Sequence, residues 1–195
     1  MKQIILASAS TRRFSILSDC GISCRVAPSG AEEDMDPSKD VSEIVQINAT
    51  RKAEKVAGGN EGAIVIGADT LVLHGKDILG KPGSEQAAKE MLKKFSGEEL
   101  SVYTGLTVIC GEKNAVGYEK SSLKVDVLTG NEVEKYFQLL GPYDKAGGFS
   151  IEGVGSLIFD NITGSYFNIL GLPMMKLKDL FKEIGFDILD FIKNP

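Results

Sequence analysis

Residues 63–75 read Ala-Ile-Val-Ile-Gly-Ala-Asp-Thr-Leu-Val-Leu-His-Gly. The run is apolar enough to be a buried strand, yet Gly67-Ala68-Asp69-Thr70 stands at its centre. Aspartate disfavours strand interiors, and a buried carboxylate is costly unless it is paired or bound to metal. The pattern therefore predicts a strongly apolar strand interrupted at 67–70. Asp69 is then either a turn residue or a carboxylate kept for chemistry, as metal ligand or general base.

Other segments alternate between strand and helix patterns. Val41, Ile44, Val45, Ala49, Ala53 and Val56 recur at helical spacing and predict a helix over 41–57, stopped by Gly58-Gly59. Ser84 caps a helix over 85–95, closed by Gly97. Thr129 and Glu132 have capping-box spacing and open a helix over 130–140, which Gly141-Pro142 ends. A short helix over 11–19 is capped by Gly21, and Pro173 starts a last one to about Glu183. Residues 3–8, 22–28, 78–79, 100–110, 115–127, 154–160 and 165–170 read as strands, with Gly164 turning between the last two. Such a mixture, without regular βαβ alternation, predicts an α/β or α+β chain with a mixed sheet. No repeat, low-complexity tract or linker divides residues 1–195, so one domain is expected.

Composition narrows the chemistry. His74 is the single histidine, which removes most Ser-His-Asp and Cys-His arrangements and points to carboxylate bases. Cys20, Cys24 and Cys110 are odd in number and lack framework or zinc spacing, so they read as reduced thiols. A net charge of −5 argues against a broad nucleic-acid surface. No apolar run approaches the roughly 20 residues that span a bilayer, and no signal peptide precedes Ile4-Ile5-Leu6. A cytoplasmic chain with no nucleic-acid polymer and no membrane as partner is expected.

Residues 6–13, Leu-Ala-Ser-Ala-Ser-Thr-Arg-Arg, end an apolar run in hydroxyls and two arginines. A strand entering a helix leaves backbone N–H groups free at the positive end of the helix, which suits phosphate. Ser8, Ser10 and Thr11 can donate hydrogen bonds there, and Arg12 and Arg13 can fork onto phosphate oxygens. A simple helix cap at Ser10 or Thr11 explains the same residues equally well. The acidic group Glu32, Glu33 and Asp34 is either solvated surface or a source of magnesium ligands. Lys52 lies inside a helix, and Lys81 and Lys145 sit in glycine-flanked loops where a backbone can approach a ligand. Together these groups fit metal-dependent chemistry on a nucleotide polyphosphate.

Eight stretches carry a resemblance: LASASTRR, GAEED, TRKAEKV, IGADTLV, GKPGSEQAAKEMLKKFSG, VYTGLTV, YDKAGGFSIEG and GSYFNILGLPM. In this order they resemble the motifs of the Maf family of nucleoside triphosphate pyrophosphatases, also called septum formation inhibitor proteins. The resemblance implies an α/β fold with an elongated, twisted mixed sheet flanked by helices, similar to the inosine-triphosphate pyrophosphatases, with two lobes around a central cleft. It implies house-cleaning hydrolysis of a nucleoside triphosphate to monophosphate and pyrophosphate, with a divalent cation (Mg2+ or Mn2+), and a homodimer. Asp69 falls on the catalytic position. Ser8, Ser10, Arg12, Arg13, Lys52 and Lys81 fall on phosphate-binding positions, and Glu33 joins Asp69 at the metal.

At the positions that discriminate substrates, Arg12 and Thr70 resemble the dTTP/UTP type, as does Lys145. Glu152, in Ser150-Ile151-Glu152-Gly153, departs from it and resembles the 7-methyl-GTP type. A glutamine amide both donates and accepts, whereas an ionised glutamate only accepts and suits the guanine edge. The sequence thus favours dTTP/UTP and modified pyrimidine nucleotides, with a 7-methyl-GTP or broad range as the alternative. A nucleotide-binding regulator of septum formation is the alternative of another class.

Overall fold

The computed structural model describes residues 2–36, 38–140 and 146–192. In chain order the elements are β1 (Ile4–Leu6), α1 (Thr11–Asp19), β2 (Cys24–Val26), α2 (Val41–Ala57), β3 (Ile64–His74), β4 (Asp77–Leu79), α3 (Glu85–Phe95), β5 (Glu99–Cys110), β6 (Lys113–Val125), α4 (Gly130–Leu140), β7 (Phe159–Thr163), α5 (Tyr166–Ile169) and α6 (Met174–Glu183). Three short 3-10 turns lie at Ala146–Gly148, Gly153–Ile158 and Ile188–Phe191. The strand order is β2-β1-β3-β5-β6-β7, with β4 paired to β3. The sheet is mixed, as expected. β1 runs parallel to both β2 and β3, whereas β3–β4 and β6–β7 are antiparallel.

The chain divides into two compact units, residues 1–70, 103–119 and 167–195, and residues 71–102 and 120–166. In the first, Ile5, Leu6, Leu17, Ile44, Ile64, Ile66, Leu106 and Phe181 are completely or almost completely buried. Register is fixed by Ile4 opposite both Cys24 and Ile64. In the second, Leu92, Phe95, Leu100 and Leu123 form the corresponding core. There Lys89 of α3 bridges Glu85 and Glu134, tying α3 to α4.

Three sequence expectations change. β3 is continuous through Gly67-Ala68-Asp69-Thr70, because partners from α2 and α1 satisfy the polar groups that argued for a break. Residues 165–170 hold the short helix α5 rather than a strand, and most of 154–160 is a 3-10 turn preceding β7. The Asp69 environment is tertiary, so local propensity could not report it. The bounds of α1, α2 and α3 agree with the apolar spacing, and Ser84 caps α3 by accepting from the Ala87 N–H. The Thr129–Glu132 capping box is formed in both directions. Pro173 stands at the N-cap of α6, one residue before its first turn. Gly141-Pro142 and Lys145 lie outside the described residues.

Candidate active site

The site of the first unit begins with two glycines. A Cβ on Gly67 would lie 2.1 Å from the Ala49 carbonyl oxygen, and one on Gly105 would lie 2.2 Å from that of Val45. The bare backbone of neighbouring strands β3 and β5 thus lets α2 lie directly on the sheet. Asp69, two residues beyond Gly67, points to the same face by strand alternation. Asn48 and Lys52 are one helical turn apart, so both face the strand.

They meet on the Asp69 carboxylate. Lys52 Nζ donates to Asp69 Oδ1 at 2.6 Å, and Asn48 Nδ2 donates to Oδ2 at 3.0 Å. Asp69 is buried, and Lys52 is the cation that makes its burial tolerable. The same Nζ donates to Glu33 Oε1 at 2.7 Å, so two carboxylates converge on one ammonium. Asp34 is held elsewhere, by Lys39 at 2.6 Å and Arg51 at 3.4 Å. The Lys39 hydrogen bond, aided by the Asp36 N–H, keeps the Asp34 carboxyl below its ordinary range.

A second network starts at the strand-to-helix turn. Ser10 caps α1, its hydroxyl accepting from the Arg13 N–H. Arg13 is buried and donates to Gly171 O, Ser8 Oγ, Ala68 O and Thr70 Oγ1 at 2.8–3.0 Å. Burial lowers its pKa, against the opposing pull of Asp69 and Glu33. Gly171 can serve because its φ is +94° and a Cβ there would crowd Thr70 Oγ1 at 3.0 Å. The hydroxyl order beyond Arg13 follows from proton counting. Thr104 Oγ1 donates to Asn168 O, and its proton is then spent. In the 3.0 Å contact between Thr70 and Thr104, Thr70 is therefore the donor. Ser8 Oγ accepts from both the Ser10 N–H and Arg13 Nη1, which leaves its own proton for an acceptor.

The profile described as Maf-like protein matches residues 3–184. The chain belongs to the Maf family. A dTTP/UTP pyrophosphatase of Caldicellulosiruptor bescii is 40% identical over 195 residues, covering 97% of this chain and 98% of the relative. A dTTP/UTP pyrophosphatase of Bacillus cereus is 39% identical over 188 residues, covering 96% and 98%. Among solved structures, the Staphylococcus aureus Ham1 protein aligns over 64% of this chain and 72% of its own, with a TM-score of 0.45 and 15% identity.

In this Maf-family chain, then, the structure gathers Glu33, Lys52 and Asp69 at one point and Ser8, Ser10, Arg13 and Thr70 in an adjoining network. Arg12 is half-buried on α1. Lys81 and Glu152 belong to the second unit, where both are exposed; the Glu152 N–H donates to Ser150 Oγ. In that unit the buried Tyr136 hydroxyl accepts from the Ser150 N–H, and burial pushes its pKa up to about 12. Sequence reasoning missed Asn48 and Thr104. Asn48 was legible in one respect, as a polar residue four before Lys52 among the apolar positions 45, 49 and 53. Thr104 carries no such signal.

Proposed function

We propose that this Maf-family chain hydrolyses nucleoside triphosphates between the α- and β-phosphates, releasing a nucleoside monophosphate and pyrophosphate. The observation that carries the reading is the convergence of Glu33 and Asp69 on Lys52 Nζ, with Asp69 buried on a strand. Two carboxylates brought close together, as Lys52 brings Glu33 and Asp69, fit a divalent ion of the Mg2+ or Mn2+ kind, which takes one or two protein carboxylates and completes its shell with water and phosphate. Glu33 and Asp69 would hold the ion, which supplies a lowered water pKa and neutralises phosphate charge.

The chain's own groups do the rest. Water attacks the α-phosphorus, its oxygen forming the new P–O bond, and its proton passes to the Asp69 carboxylate. The α–β bridging P–O bond breaks, and pyrophosphate leaves with that electron pair. Lys52 orients Asp69 and faces the polyphosphate with positive charge. Ser8 gives its remaining proton to a phosphate oxygen. Arg13, with four donors engaged by protein, contributes through its field and by fixing Ser8 and Thr70. Arg12, on α1 of the same unit, supplies a further phosphate cation.

The names of the relatives support dTTP and UTP as substrates. Glu152 is the departure, and an acceptor-only side chain there favours a guanine-type edge. Pyrophosphate release from a panel of triphosphates, with Mg2+ or Mn2+, tests both levels. Turnover of dTTP and UTP supports the reading, and Glu152→Gln should sharpen it several-fold. No pyrophosphate from any triphosphate overturns the activity, and a strong preference for 7-methyl-GTP overturns the pyrimidine assignment.

A further inference from the structure

Asn48 is almost completely buried on α2, at 1% exposure, and every polar atom of its amide is committed. Its Oδ1 accepts from the Asp34 N–H at 2.6 Å. Its Nδ2 donates to Asp34 O at 3.1 Å and to Asp69 Oδ2 at 3.0 Å. The flipped amide would set Nδ2 against a donor and Oδ1 against a carbonyl and a carboxylate, so a single orientation is allowed. Asp34 is the chain neighbour of Glu33, and Lys52 bridges Glu33 and Asp69 from one turn further along α2.

We infer that Asn48 is a positioning residue for the proposed pyrophosphatase, an amide clamp that holds the acidic segment 33–34 in register with Asp69 and so sets the spacing of the two candidate metal-binding carboxylates. This rests on the reading of Glu33 and Asp69 given above. The clamp acts at both ends. It pins the main chain of Asp34 through a two-point pairing that mimics a β-bridge, and it takes Oδ2 of Asp69, leaving Oδ1 to Lys52. Without it Glu33 would depend on Lys52 alone, through a half-exposed contact.

Asn48→Leu keeps the branched heavy-atom shape, with greater bulk, and removes all three hydrogen bonds. In the full-length protein it should weaken Mn2+ binding, followed by electron paramagnetic resonance without nucleotide, by about tenfold. It should cut kcat by about a hundredfold with KM changed by less than about threefold. Gln46→Ala, on the same helix but outside the cluster, should change neither. A folded Asn48→Leu protein whose Mn2+ affinity and kcat both stay within about twofold of wild type overturns the clamp. If Asn48→Leu does not melt cooperatively, the wild-type side-chain amide decides by NMR. Both Asn48 Nδ2 protons should exchange slowly, and one should move on Asp69→Asn; fast exchange of both overturns the proposal. A wild-type protein that releases no pyrophosphate refutes the proposed activity, while the Mn2+ and amide readouts still judge the clamp.

Discussion

Lys52 sets its ammonium nitrogen 2.6 Å from Asp69 Oδ1 while both side chains are largely withdrawn from solvent. Breaking such a pair from either side leaves an uncompensated charge, typically costing about 3–5 kcal/mol. Lys52→Met should therefore destabilise the protein as well as slow it, and Lys52→Met/Asp69→Asn should recover much of the stability without the activity. Urea denaturation of the two variants checks this; equal stability of the single and double variants would contradict it.

Asp69→Asn preserves shape and the contact to Asn48 but removes the proton acceptor. Turnover should fall by about 10²–10⁴-fold, the usual worth of a positioned base. Affinity for a non-hydrolysable nucleoside triphosphate should stay close to wild type. Calorimetry alongside pyrophosphate release separates the two, and near-normal turnover would reject Asp69 as base.

Arg13 satisfies two carbonyls and two hydroxyls from inside the unit. Each acceptor left unpaired in a buried place costs about 1–3 kcal/mol. Arg13→Met should lower stability by about 3 kcal/mol or more, and Arg13→Lys should recover only part of it, since an ammonium lacks the planar fork. Thermal melts of both variants measure this; a Lys variant as stable as wild type would show that the fork geometry is unimportant.

The acidic segment predicts the acid limb of stability. Hydrogen bonds lower the carboxyl pKa values of Asp34, Asp36 and Asp40 from their ordinary value of 3.8, with Lys39 the largest influence on Asp34 and Ser38 and Ser42 on the other two. The unfolded chain then binds more protons than the folded one just below that value. Their stabilisation is complete above the ordinary value and is lost as pH falls through the folded values. Asp34→Asn should differ from wild type most at neutral pH and converge with it in strong acid. Urea midpoints at neutral pH and near pH 3 test this, and a gap that widens in acid would refute it.

Gly67→Ala probes the helix–sheet contact. The new methyl would meet the Ala49 carbonyl and the Ala53 backbone, neither of which can rotate away. Overpacking of this kind costs about 1–3 kcal/mol or more. The variant should lose stability and, because α2 must move, catalytic rate as well. Unchanged kcat in a folded Gly67→Ala protein would show that the site tolerates displacement of the helix.

Helix bounds were legible because they rest on local signals, namely apolar spacing along α2 and α3 and the hydroxyl at Ser84. The site was legible as an inventory, and as an arrangement only in part. Asp69 stood out through its cost in an apolar run, but the sequence could not say that Asn48 and Lys52 would meet it, so an interruption was expected where β3 is continuous. The same gap hid the occupation of Arg13. Its phosphate-friendly setting is local, whereas Gly171, which takes its Nε–H, lies 158 residues away. The short helix at Tyr166–Ile169 was missed because its apolar residues suit a strand equally well.

Where α2 meets Gly67 and Gly105, helix and strands are held apart by main chain and the single methyl of Ala53. The closeness of that approach sets how far Lys52 must reach to Asp69. The two glycines act as a ruler for the candidate site, their missing side chains setting how near the helix can come to the strands.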